Sequence, residues 1–327
     1  MLEEEINNRY QKENVKTIFI GGGTPSSLDL DELKRLFQII NIFNKDDVIE
    51  FTMETNIESI TEDKLMLMKE NGVNRISIGV ESFDENTLKL LGRRHNKEDI
   101  FNKINLVKKY FDNINIDLIY AAYDDINILK RDIDCFLALD IPHISTYSLI
   151  IEENTLLKIK GTKNIDEDLD YEMYRYIENA LKEESYKHYE ISNYAKEGYE
   201  SIHNKNYWFN GEYYGFGLSA VSYLNNYRIS NTKNLSKYLN NDYIDKKEYE
   251  DINIQKENDL ILGLRMLDGI KIDNFNNKYN DDLLNKEVIK ELINNRYLIV
   301  NDNYLKCNEE YIYLENMILE KIMGSEL

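Results

Sequence analysis

The chain of 327 residues carries 60 acidic against 40 basic side chains, a net charge of -20, so most of its surface repels nucleic-acid phosphates and anionic lipid headgroups. No apolar run approaches the roughly 18 residues that a membrane span needs. Residues 1–6, MLEEEI, lack the basic and apolar regions of a signal peptide, so the expectation is a cytoplasmic protein with no nucleic-acid partner and no integral membrane segment.

In chain order, residues 1–14 read as the end of a charged helix, and residues 15–20 as the first strand, whose run 17–20 is too short for a helix and apolar enough for an inner strand. That run empties into Gly21, Gly22 and Gly23, followed by Thr24, Pro25 and Ser26. Glycine frees the backbone to take positive φ or to lie against a ligand, and Ser26 is expected to cap the next helix. The loop reads either as an ordinary turn after a strand or as a ligand loop. A helix at 28–43 carries Leu30, Leu33, Leu36, Phe37 and Ile40 on one stripe, and a strand follows at 48–53. A helix at 62–71 stops at Gly72, and 75–80 returns as a strand. Helices at 86–91 and 97–111, a strand at 115–120, a helix at 127–139 and a strand at 143–150 continue the alternation. Five strands separated by helices imply parallel, right-handed crossovers.

In such folds ligands sit at the carboxyl ends of the strands. Those ends carry Glu54 with Thr55 and Asn56, Glu81 with Ser82, Asp117, and Ser145 with Tyr147; Arg93 follows the third strand. A glycine cradle, carboxylates and a guanidinium on one rim suit a zwitterion, with Glu54 for an ammonium, Arg93 for a carboxylate and Asp117 for ribose hydroxyls. Each acid alone reads equally well as a charge favoured at a helix N-terminus.

Beyond residue 230 the composition changes. Residues 231–256 are polar and charged, a short helix and linker; 257–327 give helices at 260–267 and 283–294 and a hairpin of 297–300 with 304–306 around Asn301, Asp302 and Asn303. This last segment holds 14 acidic and 8 basic residues, which disfavours DNA. The two cysteines, Cys135 and Cys307, form no paired-thiolate motif, and the histidines at 95, 143, 188 and 203 have no zinc spacing. His203 in its Tyr-rich polar stretch reads as a surface or hydrogen-bonded side chain, and Tyr207 and Trp208 read as plain core packing.

The motifs GGGTPS at 21–26, ETN at 54–56, RISIGVESF at 75–83, LGRRH at 91–95 and IDLIY at 116–120 resemble radical S-adenosylmethionine proteins of the oxygen-independent coproporphyrinogen III oxidase group. YEISNYA at 189–195, HNKNYW at 203–208 and YGFGLSA at 214–220 are similar to its heme chaperone branch, the HemW type. The resemblance implies an α/β fold, an incomplete parallel (β/α)6 barrel lacking its first strand, with a smaller helical, winged C-terminal domain. It divides the chain into a partial barrel with the appended HNxxYW segment at 1–230, a linker at 231–256 and a HemN-type domain at 257–327. It implies S-adenosylmethionine at Gly21, Gly22, Gly23, Thr24, Glu54, Glu81, Arg93 and Asp117, and heme at His203, Tyr207 and Trp208.

The resemblance further implies a 4Fe-4S cluster on a CxxxCxxC loop after the family's first strand. This sequence contains no such motif, and Thr17–Ile20 corresponds to the family's second strand. The expectation is therefore no cluster ligands, no radical chemistry and weak S-adenosylmethionine binding. Glu81 stands where the family usually has Gln, and Ala121, Ala122, Tyr123 and Asp124 replace a Gly-Leu-Pro turn. The function implied is a heme chaperone that hands heme to apo-proteins; a coproporphyrinogen III oxidase and a degenerate remnant are the alternatives. The unpaired edge of Thr17–Ile20 predicts aggregation or homodimerisation.

Overall fold

The computed structural model describes residues 1–151, 155–159 and 161–325. The chain forms two units. One, from residues 16–37 and 48–201, is built on a seven-stranded sheet of β1 (Thr17–Ile20), β2 (Glu50–Asn56), β3 (Arg75–Glu81), β4 (Asn113–Tyr120), β5 (His143–Ser148), β6 (Lys187–Glu190) and β7 (Asn193–Ala195), in the order β1-β2-β3-β4-β5-β7-β6. The first five strands are parallel, as their alternation with helices requires, and β7 and β6 close the row antiparallel. It is a curled, incomplete α/β barrel.

Each parallel strand shows two characters. Ile76, Ile78 and Val80 of β3, Ile114, Ile116 and Leu118 of β4 and Ile144 of β5 are all buried, and they carry the apolar packing. The alternate residues are polar and bonded to one another: Asn115 Nδ2–H donates to Ser77 Oγ at 2.8 Å and to Asp117 Oδ1 at 2.9 Å. Because side chains alternate along a strand, the apolar residues face the helices and the polar ones the inside of the curl.

The helices start and stop where their local chemistry dictates. Thr61 caps Glu62–Glu70, and Gly72 takes φ 91° after that helix. Asn96 and Asp99 form a reciprocal box at the start of Lys97–Val107. Leu30–Ile40 buries Leu33, Phe37 and Ile40, but its cap is Asp29, which accepts from Asp31 N and Glu32 N. Ser26, expected in that role, lies in a short 3-10 turn and bonds Ser59 at 2.5 Å instead.

The second unit takes residues 1–15, 38–47 and 202–327. One antiparallel sheet, β10-β9-β8, comprises β8 (Val221–Leu224), β9 (Tyr227–Asn231) and β10 (Ile244–Tyr249). The stretch 231–256 supplies a short helix, Leu235–Leu239, as expected, and also strand β10, which was not. Six exposed residues, IDKKEY, give β10 no apolar face by which the sequence could announce it. A second sheet, β11-β13-β12, comprises β11 (Ile270–Lys271), β12 (Leu298–Asn301) and β13 (Tyr304–Cys307). Asp302 and Asn303 make its hairpin turn at φ 47° and 68°, the left-handed pair such a two-residue turn needs. Glu5, fully buried in this unit, accepts from Tyr238 OH at 2.8 Å and Gly217 N at 2.9 Å and pairs with Arg9.

Candidate functional site

The carboxyl ends of β1 to β4 gather the residues expected there. Gly21 follows β1 directly, and a Cβ at that position would lie 2.6 Å from both Glu54 Cδ and Phe19 Cε1. Only glycine lets the Glu54 carboxylate lie against this loop. Gly22, at φ 81°, donates its N–H to Glu54 Oε2 at 3.2 Å, while Gly23 and Thr24 carry the loop onward.

Glu81 is held in an unusual way. It sits at φ 70° beside a register irregularity between β3 and β4, a left-handed conformation costly for a residue with a Cβ. That twist aims its carboxylate over Gly79, where a Cβ would be 3.0 Å from Oε1, and into an ion pair with Arg93. Asp117, on the neighbouring strand, accepts from Asn115 Nδ2 at 2.9 Å and Ser77 Oγ at 3.4 Å.

All three carboxyls are pushed above their ordinary range. Burial is the main cause for each; Asp117's charge adds to it at Glu54 and Glu81, and the Arg93 guanidinium opposes it at Glu81. Three acids that feel each other's field, with one arginine already engaged, leave excess negative charge. Such a rim favours a cationic ligand over a simple carboxylate. An ammonium or sulfonium group beside open glycine backbone fits this donor set.

Behind the rim runs a buried polar chain that sequence reasoning missed. His143, fully buried, donates Nδ1–H to Asn115 Oδ1 at 2.6 Å and accepts at Nε2 from Tyr189 OH at 2.8 Å. Burial, with Arg75 nearby, keeps its imidazole neutral, as that bonding pattern demands. The signal was present in the alternation of R-I-S, N-I-N-I-D and H-I-S, where every second residue is polar.

The thiols do not fit a 4Fe-4S cluster. Cys135 lies buried on helix Ile126–Ala138, and Cys307, in the other unit, is buried with its thiol pushed up. Among the described residues no three histidine, cysteine or carboxylate side chains converge as metal ligands. A cubane needs three or four convergent thiolates.

In the second unit, residues 203–208 lie on helix Ile202–Trp208. At 100° per residue this puts His203 and Tyr207 on one stripe, with Lys205 and Trp208 on the opposite side. His203 Nε2 lies 2.9 Å from Tyr207 OH with the rings edge to face, and burial pushes the Tyr207 phenol up to about 12. Trp208 has Arg265 over its ring at 5.5 Å, and its Nε1–H is buried without a hydrogen-bond partner. The other histidines are built into structure: His95 lies between Glu58 Oε1 and Val80 O, and His188 stacks on Tyr194.

The radical S-adenosylmethionine superfamily profile matches residues 1–127, and the HemN C-terminal domain profile matches 257–314. Coproporphyrinogen III oxidase HemN from Escherichia coli, described as a radical SAM enzyme, superimposes with a TM-score of 0.87 over 99% of this chain and 82% of that one, at 18% identity. Fold and profiles together define a radical SAM-type barrel joined to a HemN-type C-terminal domain.

Closer likenesses in sequence narrow the class. The heme chaperone HemW of Lactococcus lactis is 35% identical over 330 residues, covering 97% of this chain and 87% of that protein. HemW of Bacillus subtilis is 36% identical over 346 residues, covering 100% and 88%. The chain belongs to the HemW family. No helix among the described residues is long and apolar enough to cross a membrane.

Proposed function

We propose that the chain is a heme chaperone of the HemW type, which binds heme and S-adenosylmethionine and passes heme to acceptor apo-proteins from a cytoplasmic location. The observation that carries this reading is likeness to proteins named heme chaperone along nearly the whole chain. His203 is the candidate iron ligand, and Tyr207, bonded to it, sets its ring and closes one side; Trp208 serves the same helix from its other face.

Gly21, Gly22, Gly23 and Thr24 would pass backbone along S-adenosylmethionine, Glu54 would take its ammonium, and Asp117 would take ribose hydroxyls. That molecule supplies a sulfonium cation, which the acid-rich rim favours. Binding is weak here because Arg93, the natural partner of the ligand's carboxylate, is already paired to Glu81. The thiols present, one in each unit, do not fit an iron-sulfur cluster. The oxidase alternative rests on likeness of fold alone.

A heme titration of the four single-histidine variants tests this reading. His203→Ala should shift the Soret band and weaken binding more than alanine at 95, 143 or 188. An unchanged spectrum and affinity in His203→Ala would remove iron ligation from this helix.

A further inference from the structure

The ion pair of Glu81 and Arg93 lies on the rim at the carboxyl ends of the strands, and the surrounding chain is built to keep it there. The Arg93 side chain is 31% exposed and that of Glu81 only 10%. Gly79 lies beneath the pair: a Cβ there would sit 3.0 Å from Glu81 Oε1 and 3.7 Å from Arg93 Nη2, so a larger residue would push both side chains off their seat. The residues after Glu81 are clamped from helix Ile126–Ala138. Ser82 Oγ–H donates to Asp132 Oδ2 at 2.6 Å and Phe83 N–H to Asp132 Oδ1 at 2.9 Å, with Ser82 and Asp132 both buried. Those bonds anchor the chain next to residue 81, whose φ of 70° a free chain would leave. The direction in which Glu81 leaves the backbone is thus fixed, and it points at Arg93.

That pair decides which ligands the rim can take. A carboxylate arriving at Arg93 must either share the guanidinium with Glu81, two like charges at close range, or evict it. Eviction strands a nearly buried carboxylate without its counter-charge and in the field of Asp117. Both routes are costly. A ligand that brings positive charge and no carboxylate meets neither obstacle. Glu54 and Asp117 remain to receive it, and a Cβ on Gly22 or Gly23 would meet nothing within 4 Å, so the loop beside Glu54 leaves open space for its body.

We propose that Glu81 is a specificity-determining residue: its carboxylate takes on Arg93 the seat of a zwitterionic ligand's own carboxylate, so the rim selects an adenosyl sulfonium that carries an amine and no carboxylate. The proposal rests on the reading of this rim as an adenosyl-sulfonium site and deepens it by naming the form of ligand admitted. One side chain of the protein thereby replaces one group of the ligand.

Calorimetry on the full chain compares S-adenosylmethionine with its decarboxylated form, which keeps the sulfonium, the amine and the adenosine and lacks only the carboxylate. The parent should bind the decarboxylated form about tenfold more tightly. Glu81→Gln keeps the shape and frees Arg93; it should bind S-adenosylmethionine about tenfold more tightly than the parent does and the decarboxylated form about tenfold less tightly, reversing the preference. Glu54→Gln removes the same charge from the same rim but faces the amine that both ligands carry, so it should weaken both alike and leave their ratio unchanged. A ratio that moves equally in the two variants would assign the preference to the rim's overall charge and overturn the proposal, as would a parent that binds S-adenosylmethionine at least as tightly as the decarboxylated form. The parent's ratio comes from the unaltered chain, so a misfolded variant does not blunt the test. S-adenosylmethionine bound tightly by the parent, with Glu81→Gln indifferent, leaves the S-adenosylmethionine reading standing and removes the role of Glu81. Decarboxylated ligand bound by the parent and weakened in Glu81→Gln, with S-adenosylmethionine bound by neither protein, does the reverse. Binding of neither ligand to the parent overturns both.

Discussion

Lowering the pH from 7 to 5 should destabilise the barrel unit through His188, and His188→Phe should remove that part of the loss. The imidazole stacks on Tyr194 at 4.1 Å, donates Nε2–H to the Ile191 carbonyl at 3.2 Å and buries an Nδ1 with no partner. Burial, only partly opposed by the backbone hydrogen bonds at Ile191 and Glu190, lowers its pKa to about 4 from an ordinary 6.5. A depressed value means that the unfolded chain takes up the proton first, so the stability is present above 6.5 and is lost as pH falls toward 4. Between pH 7 and 5 this amounts to about 2 kcal/mol. At neutral pH the phenylalanine variant loses one hydrogen bond, about 1 kcal/mol, and sheds a buried orphan acceptor of similar cost, so it should start within about 1 kcal/mol of the parent. The difference between the two proteins should then widen by about 2 kcal/mol on acidification, measured as urea unfolding followed by circular dichroism. Parallel acid losses in parent and variant would refute the assignment. Asp132, pushed up to about 6 mainly by burial, works in the opposite sense, since its folded form binds the proton more readily; it is common to both proteins and cancels in the comparison.

Ala121, itself buried, stands at φ 64° just after β4, so Ala121→Gly should relieve about 1–2 kcal/mol of left-handed strain against about 0.4–1 kcal/mol of added unfolded-state entropy, a net gain near 0.5–1 kcal/mol in thermal unfolding; a loss would show that the alanine methyl packs usefully. Gly269→Ala combines φ 74° with a Cβ 2.3 Å from the Leu305 carbonyl and should cost about 2–5 kcal/mol; a variant as stable as the parent in urea would mean that the β11–β13 approach is looser than described. Gly21→Ala should displace Glu54 and break its bond from Gly22, lowering S-adenosylmethionine affinity about tenfold to a hundredfold by calorimetry, as should Glu54→Ala; tight binding that survives both would place the ligand elsewhere.

Much of the barrel was legible because its local signals agree. The β-branched runs and Gly72 mark its boundaries, and parallel crossovers follow from their order; in the second unit the Asn301 to Asn303 turn does the same for the hairpin. The rim acids Glu54, Glu81 and Asp117 were legible for the same reason, since the parallel topology itself says that strand ends converge. The bond between Glu81 and Arg93 was not, because it depends on a left-handed backbone at residue 81 that no residue-type preference announces. Strand β10 escaped notice because solvent touches all its side chains. The six residues 203–208 looked like a single cluster when read along the sequence; on a helix, adjacency in sequence is separation in angle, and His203 parts from Trp208.

The chain order of the second unit bears on how this protein is made. Glu5, with no access to solvent, has Tyr238 OH among its donors, 233 residues further along the sequence. At roughly 5–20 residues per second, about 12–47 s of synthesis separate the carboxylate from that hydroxyl. For that interval the amino-terminal helix Leu2–Arg9 waits on the ribosome surface with an apolar Ile6 and an incompletely bonded acid, while the intervening barrel segments emerge and can fold. A polypeptide cut at residue 230 would keep the helix and discard Asn231, Tyr238 and the β9–β10 pairing, stranding Glu5 in the product. Truncations designed as though the units followed one another along the chain would thus yield aggregation-prone pieces, whereas a circular permutation that brings residues 1–15 next to residue 202 should shorten the wait and raise the folded yield.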